Sequence, residues 1–178
     1  WQKRTLFDNA TRVPLIVAGP GINKNEKIMG APVELVDIYP TLMELLDMDT
    51  PEFVSGKSFA PLLKDSNARV RESALTELGV NTGYGAKVSG YSIKTERYRL
   101  TQWGYRGVLG FELYDHKYDK QELNNLANLD SYKFIKDSLT NVLSYRISEA
   151  QRKPKGLEII FDDAREWREP REVFSQPK

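Results

Sequence analysis

The chain holds 178 residues, 40% of them hydrophobic and 29% charged, which is long enough to bury a sizeable core and has the composition of a globular protein. Lys and Arg number 26 against 25 Asp and Glu, so there is no global basic field to point to nucleic acid, and no apolar run is long enough to cross a bilayer. The lack of any Cys excludes a disulfide framework, a thiolate metal site and a cysteine nucleophile from this chain.

A cationic, irregular segment, Trp1 to Arg12, feeds the apolar run Val13 to Ala18. That run reads as a buried strand, being short, rich in apolar residues and closed by Gly19-Pro20-Gly21. The most chemical stretch thus stands at the very start, a placement that suggests a piece of something larger. After a polar loop through Asn23 to Lys27, Val33 to Met48 turns helical, with Leu35, Ile38, Leu42 and Leu45 spaced to share one face. Asp37 is placed to cap this helix, which puts Pro40 in the first turn, where a missing N–H does no harm.

Thr50 to Asp65 reads as a connector with a short helical turn at most. Beyond Arg71 the pattern changes to strands: Ser73 to Leu78, Val88 to Lys94, Tyr98 to Trp103, and Phe111 to Asp115. Thr95-Glu96-Arg97 is short enough for a hairpin, and four such strands predict a small antiparallel sheet. Ser131 then opens a helix whose apolar stripe, Ile135, Leu139, Val142, Leu143 and Ile147, should cover one face of that sheet. The stretch from Gln151 to Lys178 is charge-rich and holds three prolines, yet it carries Ile159, Ile160, Phe161, Trp167 and Phe174, and it reads as a docked tail.

Several phrases in order resemble the C-terminal portion of a sulfatase of the alkaline-phosphatase-like superfamily, nearest the iduronate sulfatase and choline sulfatase branch. Lys3-Arg4-Thr5-Leu6-Phe7-Asp8-Asn9-Ala10-Thr11-Arg12-Val13-Pro14 resembles that family's lysine, threonine, acidic residue, arginine and proline at the same intervals. Val36 to Leu42 resembles its following helix, Gly56 to Leu63 its linker, and Tyr91 to Arg99 its C-terminal hairpin. Glu112 to Asp115, through Glu122, Asn125 and Leu126, resembles its closing strand and turn. The likeness covers residues 1–150. It implies an α/β fold in which 1–65 is the C-terminal edge of the large catalytic domain. Residues 66–150 would then form a smaller domain of about four antiparallel strands packed on a helix, with 151–178 as the tail.

In that family a formylglycine made from Cys or Ser attacks sulfur, a calcium ion neutralises the sulfate, and histidines and lysines steady the developing charge. Lys3 matches one of those lysines, and the resemblance makes it a catalytic residue in contact with a sulfate oxygen or the leaving oxygen. By pattern alone Lys3 is a solvated surface lysine. Arg12 either pairs with Asp8 as part of the loop's scaffold, the favoured role, or reaches the site. Trp103, Tyr105 and Arg106 offer ring stacking and bidentate contacts to a sulfated sugar, although core packing explains Trp103 equally well. The loop Gly79 to Gly85 reads as a mobile connection without phosphate-loop spacing, and the sequon Asn9-Ala10-Thr11 stands too near the proposed site to favour glycosylation.

No metal ligand is assigned in this chain. His116 is the only histidine and reads as a turn residue, while Asp115, Asp119 and Glu122 lack the spacing of a calcium loop and read as capping carboxylates. The family's nucleophile motif, Cys or Ser followed by x-Pro-Ser-Arg, does not occur here, nor does its paired aspartate near the N-terminus or the Asp-His pair that should stand shortly before Trp1. The formylglycine and the calcium ligands are therefore expected upstream, and this chain alone is expected to be inactive. Its expected partners are that upstream catalytic portion and a sulfated sugar, with no nucleic acid and no membrane. A noncatalytic module binding an anionic glycan or scaffolding a partner is the alternative, and a related phosphodiesterase or phosphonate hydrolase is the runner-up enzyme. The family suggests a periplasmic, secreted or lysosomal setting. Alone, the chain is expected to expose apolar surface and self-associate.

Overall fold

The computed structural model describes residues 4–19, 22, 30–65, 67–81, 87–152 and 155. These fall into two compact units, one made of 4–13 with 75–151 and the other chiefly of 14–74. No helix among the described residues is long and apolar enough to cross a membrane.

The first unit is built on a four-stranded sheet in the order β1 (Ala74–Asn81), β2 (Lys87–Lys94), β3 (Tyr98–Trp103), β4 (Gly110–Asp115). β3 pairs antiparallel with β2 on one side and with β4 on the other. Thr95 closes the β2–β3 hairpin: its N–H donates to the Tyr98 carbonyl at 2.8 Å, and its hydroxyl accepts from the Tyr98 N–H at 2.8 Å. The outer edge of β4 is covered by Asn125 and Leu126. The Asn125 side chain accepts from the Leu113 N–H at 3.0 Å and donates to the Phe111 carbonyl, replacing a strand partner.

Alternation along the strands separates two chemically different faces. Ile93, Leu100 and Leu113 stand in register across β2, β3 and β4 and are fully buried. Against them pack Leu143, Ile135, Leu139, Val142 and Ile147 of α4 (Lys133–Ala150), the stripe read from the periodicity. The helix opens through a 3-10 turn, Asp130–Tyr132, rather than at Ser131 itself. The other face carries Gly90, Ser92, Arg99, Thr101, Trp103, Glu112 and Tyr114, and the N-terminal segment lies on it. Leu6 is buried there, and the rings of Phe7 and Tyr114 are 5.9 Å apart. A Cβ on Gly90 would come within 2.5 Å of Trp103 and 2.7 Å of Leu6, so this strand position requires glycine. One helical turn, α1 (Asp8–Thr11), ends the seated segment.

The second unit holds a 3-10 turn, Leu35–Asp37, running into α2 (Ile38–Leu45), and a short α3 (Ala60–Lys64). Phe59, Leu62 and Leu63 form its core with Val17, Val33, Ile38 and Val70. Pro40 lies in the first turn of α2, as expected, but Asp37 does not cap that helix through its side chain. Its carboxylate instead accepts from the backbone N–H of Glu34 at 2.9 Å and of Lys57 at 2.7 Å, and pairs with the buried Arg71 guanidinium. A buried cation makes the stronger demand on that carboxylate. Burial opposes the Asp37 charge, yet these bonds outweigh it and hold the carboxyl below its ordinary value. Gly56 lets the connector cross the Val36 carbonyl, where any Cβ would collide at 2.0 Å.

One expected element is corrected. Residues 12–19 form no strand, Val13 and Leu15 are exposed, and Ile16 is 87% exposed. An extended apolar run becomes a strand only when a neighbour takes its backbone hydrogen bonds, and the second unit has no strand among its described residues. Leu35, Val36, Leu42, Leu46 and Met48 are exposed as well. Such surface predicts that the isolated chain sediments as species larger than a monomer, increasingly so with concentration; a clean monomer across a concentration series would contradict this.

Candidate functional site: a buried ion-pair cluster beneath the N-terminal segment

Arg99 stands on β3 with its side chain on the polar face of the sheet, and it is only 1% exposed. A guanidinium taken out of water needs its N–H groups paired and its charge balanced. Nε donates to Glu122 Oε1 at 2.5 Å, and Nη2 donates to Asp8 Oδ1 at 2.8 Å and Thr11 Oγ1 at 2.9 Å. Nη1 donates to Ser92 Oγ at 3.3 Å, and Ser92 in turn accepts from the Thr101 hydroxyl at 2.9 Å. One buried cation thereby ties α1, β2, β3 and the turn after β4 together.

Glu122 completes the cluster from a turn in which it adopts φ of 57°, a left-handed conformation that costs a side-chain-bearing residue about 1–3 kcal/mol. Its Oε2 accepts the backbone N–H of Asp8 at 2.7 Å, and its Oε1 lies 2.7 Å from His116 Nε2 as well as bonding Arg99. That turn is set by Asp119, whose carboxylate accepts the N–H groups of Leu123 and Asn124 at 2.8 and 2.7 Å. Burial works against the Glu122 charge, but His116, the Asp8 N–H and Arg99 together hold the carboxyl below its ordinary value. Arg12 is 3.9 Å from Asp8 and mostly exposed, in keeping with its favoured scaffold role.

Asp8, His116 and Glu122 offer ligand atoms within 4.8 Å of one another, the geometry of a small metal site. Arg99 already bonds both carboxylates and is buried, so a cation there would meet a fixed positive charge. The donor set also lacks the six to eight oxygens calcium takes. The cluster does not fit the calcium ion that the resemblance implies.

Of the sequence-predicted site residues, Lys3 lies outside the described residues, as do the tail beyond residue 155 and the tip of the Gly79 to Gly85 loop. Trp103 ends β3, half-buried against Gly90, and hydrogen-bonds Glu112. Burial pushes the Glu112 carboxyl up, and the Trp103 bond offsets part of that. Tyr105 and Arg106 come together on the 3-10 turn Tyr105–Gly107, exposed, with the guanidinium carbon 5.1 Å from the ring centroid. Gly104, Arg106, Gly107 and Gly110 all have positive φ, so this loop doubles back sharply between β3 and β4.

Residues 1–150 match the sequence family described as N-sulphoglucosamine sulphohydrolase, C-terminal. The chain belongs to the sulfatase family. Arylsulfatase K of Gallus gallus is 31% identical over 129 residues, covering 70% of this chain and 24% of the relative. A putative sulfatase from Bacteroides thetaiotaomicron superposes with a TM-score of 0.68 at 30% identity, covering 82% of this chain and 32% of that one. A protein described as a 2-O GAG sulfatase gives 0.65 at 28% identity, covering 75% and 29%. The chain spans about a quarter of the length of the curated relatives it matches.

The sequence does not bring this cluster together: Arg99 belongs to the hairpin phrase, and Glu122 reads with Asp119 as a capping carboxylate. Asp119 does cap, whereas Glu122 neutralises a buried arginine. The available signal was an arginine alternating with Leu100 inside a strand, which asks for a buried counter-charge. The lowered Glu122 carboxyl contributes stability fully present above its ordinary value of 4.5 and lost as pH falls below it. The melting temperature of the chain should therefore drop on acidification below about 4.5. Glu122→Gln should cost about 3–5 kcal/mol at neutral pH and flatten that drop, as followed by circular dichroism.

Proposed function

We propose that this chain is the C-terminal part of a sulfatase that hydrolyses sulfate esters of a sulfated sugar. Lys3 supplies a cation to the sulfate, and Trp103, Tyr105 and Arg106 form part of a sugar-facing wall. The observation that carries this reading is the seating of the segment directly after Lys3: Leu6 to Thr11 is fixed to the sheet by Arg99 and Glu122 rather than left as a frayed terminus.

In hydrolysis, water replaces the sugar oxygen on sulfur, the S–O bond to the sugar breaks, and the departing oxygen takes a proton. Negative charge spreads over the sulfate oxygens and the leaving oxygen on the way, and a preorganised ammonium stabilises it most where water is excluded. Lys3 has the compact charge and flexible stem for that contact. Arg106 offers a planar donor fork to a sulfate or carboxylate of the sugar, and Tyr105 a ring face to its apolar side. Formylglycine as nucleophile and calcium as sulfate counter-ion belong to this reading as groups held by portions outside this chain.

The substrate class rests on two kinds of support: the relative described as a 2-O GAG sulfatase, and the aromatic-plus-arginine turn. The likeness to the iduronate and choline sulfatase branch rests on the sequence phrases alone. On this reading the isolated chain is inactive and gains sulfatase activity when joined to a catalytic portion carrying nucleophile and metal ligands. In the joined protein, Lys3→Ala should lower kcat about 10²- to 10³-fold without unfolding it. Glycan binding by the chain with no activity on joining would instead make it a noncatalytic module, and cleavage of phosphodiesters in place of sulfate esters would make the parent a related hydrolase.

A further inference from the structure

We propose that the turn after β4 carries a binding site for an anionic polysaccharide, a platform of Tyr118, Lys117, Lys120 and Arg97 that is separate from the Tyr105–Arg106 turn. Tyr118 is 73% exposed, although two cations stand beside its ring: the Arg97 guanidinium carbon lies 5.8 Å from the ring centroid and the Lys117 Nζ 5.2 Å. Arg97 also lies 4.7 Å from the Tyr98 ring centroid, so one guanidinium bridges two tyrosines. A ring that is open to water yet already fixed loses little conformational entropy when a ligand settles on it. The fixing is built into the backbone. The Asp115 carboxylate accepts Arg97 Nε and Nη2 at 2.8 and 2.6 Å and the Lys117 N–H at 3.1 Å. Its carbonyl accepts the Tyr118 and Asp119 N–H groups at 3.0 and 2.8 Å, and the His116 N–H donates to the Arg97 carbonyl at 2.9 Å, closing the turn against the β2–β3 hairpin.

Charge around the ring is one-sided. Residues 115–122 hold three carboxylates, and each is turned inward: Asp115 onto Arg97, Asp119 onto the Leu123 and Asn124 N–H groups, and Glu122 onto Arg99. Lys117 and Lys120 in the same stretch are exposed and form no ion pair among the described residues. A ring face edged by ammonium and guanidinium groups fits a sugar bearing sulfate or carboxylate substituents, the apolar face stacking while the anions pair. Nucleic acid fits less well, because its affinity comes mainly from phosphate contacts and three cations supply few of them. Tyr98 pairs with Asp115 and Trp103 with Gly110, so the two turns lie at opposite ends of the β3–β4 pair, about 17 Å apart at about 3.4 Å per residue. The platform holds a polymer and takes no part in bond cleavage, so it stands whether or not Lys3 contacts sulfate.

The test is the fluorescence anisotropy of a fluorescein-labelled heparin octasaccharide titrated with the chain, beside a labelled neutral dextran and a labelled single-stranded DNA of similar length. Heparin should bind with an affinity that falls as salt is added, and dextran should not bind. Tyr118→Ala should weaken heparin binding about ten-fold, and Tyr118→Phe should leave it nearly unchanged, because the ring is the group in use. Lys117→Gln combined with Lys120→Gln should weaken binding and flatten its salt dependence. All three side chains are exposed, so these variants keep the fold, which circular dichroism checks. No heparin binding, or binding unaltered by Tyr118→Ala, would overturn the inference. A loss caused by Arg106→Ala and not by Tyr118→Ala would overturn it as well, by putting the glycan at the other turn. DNA bound as tightly as heparin, with the same dependence on Tyr118, would also overturn it, by making the patch a general polyanion surface.

Discussion

The seating of the N-terminal segment on the sheet depends on one buried positive charge. Arg99 is carried into the interior by the alternation of β3, because Leu100 beside it must face α4. Once there, its charge and N–H groups demand partners, and the demand is met from three separate stretches: Asp8 and Thr11, Ser92, and Glu122. The turn that delivers Glu122 is held in a left-handed conformation, a cost the buried ion pair offsets. The N-terminal segment lies on the sheet because Asp8 and Thr11 accept the arginine N–H groups that Glu122 and Ser92 leave unmet.

The sheet and its helix were legible in the sequence because their signals are local. Period-two runs marked the four strands, and the stripe from Ile135 to Ile147 marked the face of α4 that meets Ile93, Leu100 and Leu113. Val13 to Ala18 misled because composition signals burial in a strand, while strand formation depends on a neighbour elsewhere in the chain. Asp37 does stand at the cap position of α2, but part of its role was not legible locally, because Arg71, far along the sequence, pairs with its carboxylate. The Arg99 cluster shares this feature. Its members are separated by up to 114 residues, and no local pattern pairs Asp8 with Glu122.

For function, the family resemblance suggests the proposed chemistry, and the structure shows how the segment from Leu6 to Thr11 is held. The phrase from Lys3 to Pro14 located a segment of sulfatase character, and residues 1–150 match that family. The phrase itself gives no reason why such a segment should be fixed, and Asp8 and Thr11 supply one. The Tyr105–Arg106 turn is a second, separate feature, exposed and shaped by glycines at Gly104, Gly107 and Gly110. In the proposed sulfatase the two features divide the work between holding charge against the sulfate and holding the sugar.

The most direct measure of the central claim is hydrogen exchange at the Asp8 amide, whose N–H is donated to Glu122, compared with the Leu100 amide within β3, in the unaltered chain and in Arg99→Lys. The lysine keeps the charge but loses the fork that reaches Asp8, Thr11 and Glu122 together. The structure predicts that Asp8 and its neighbours through Thr11 lose protection by a local opening while Leu100 stays protected. Equal protection of the segment in both proteins would contradict the account, since Arg99 would then not be what holds it.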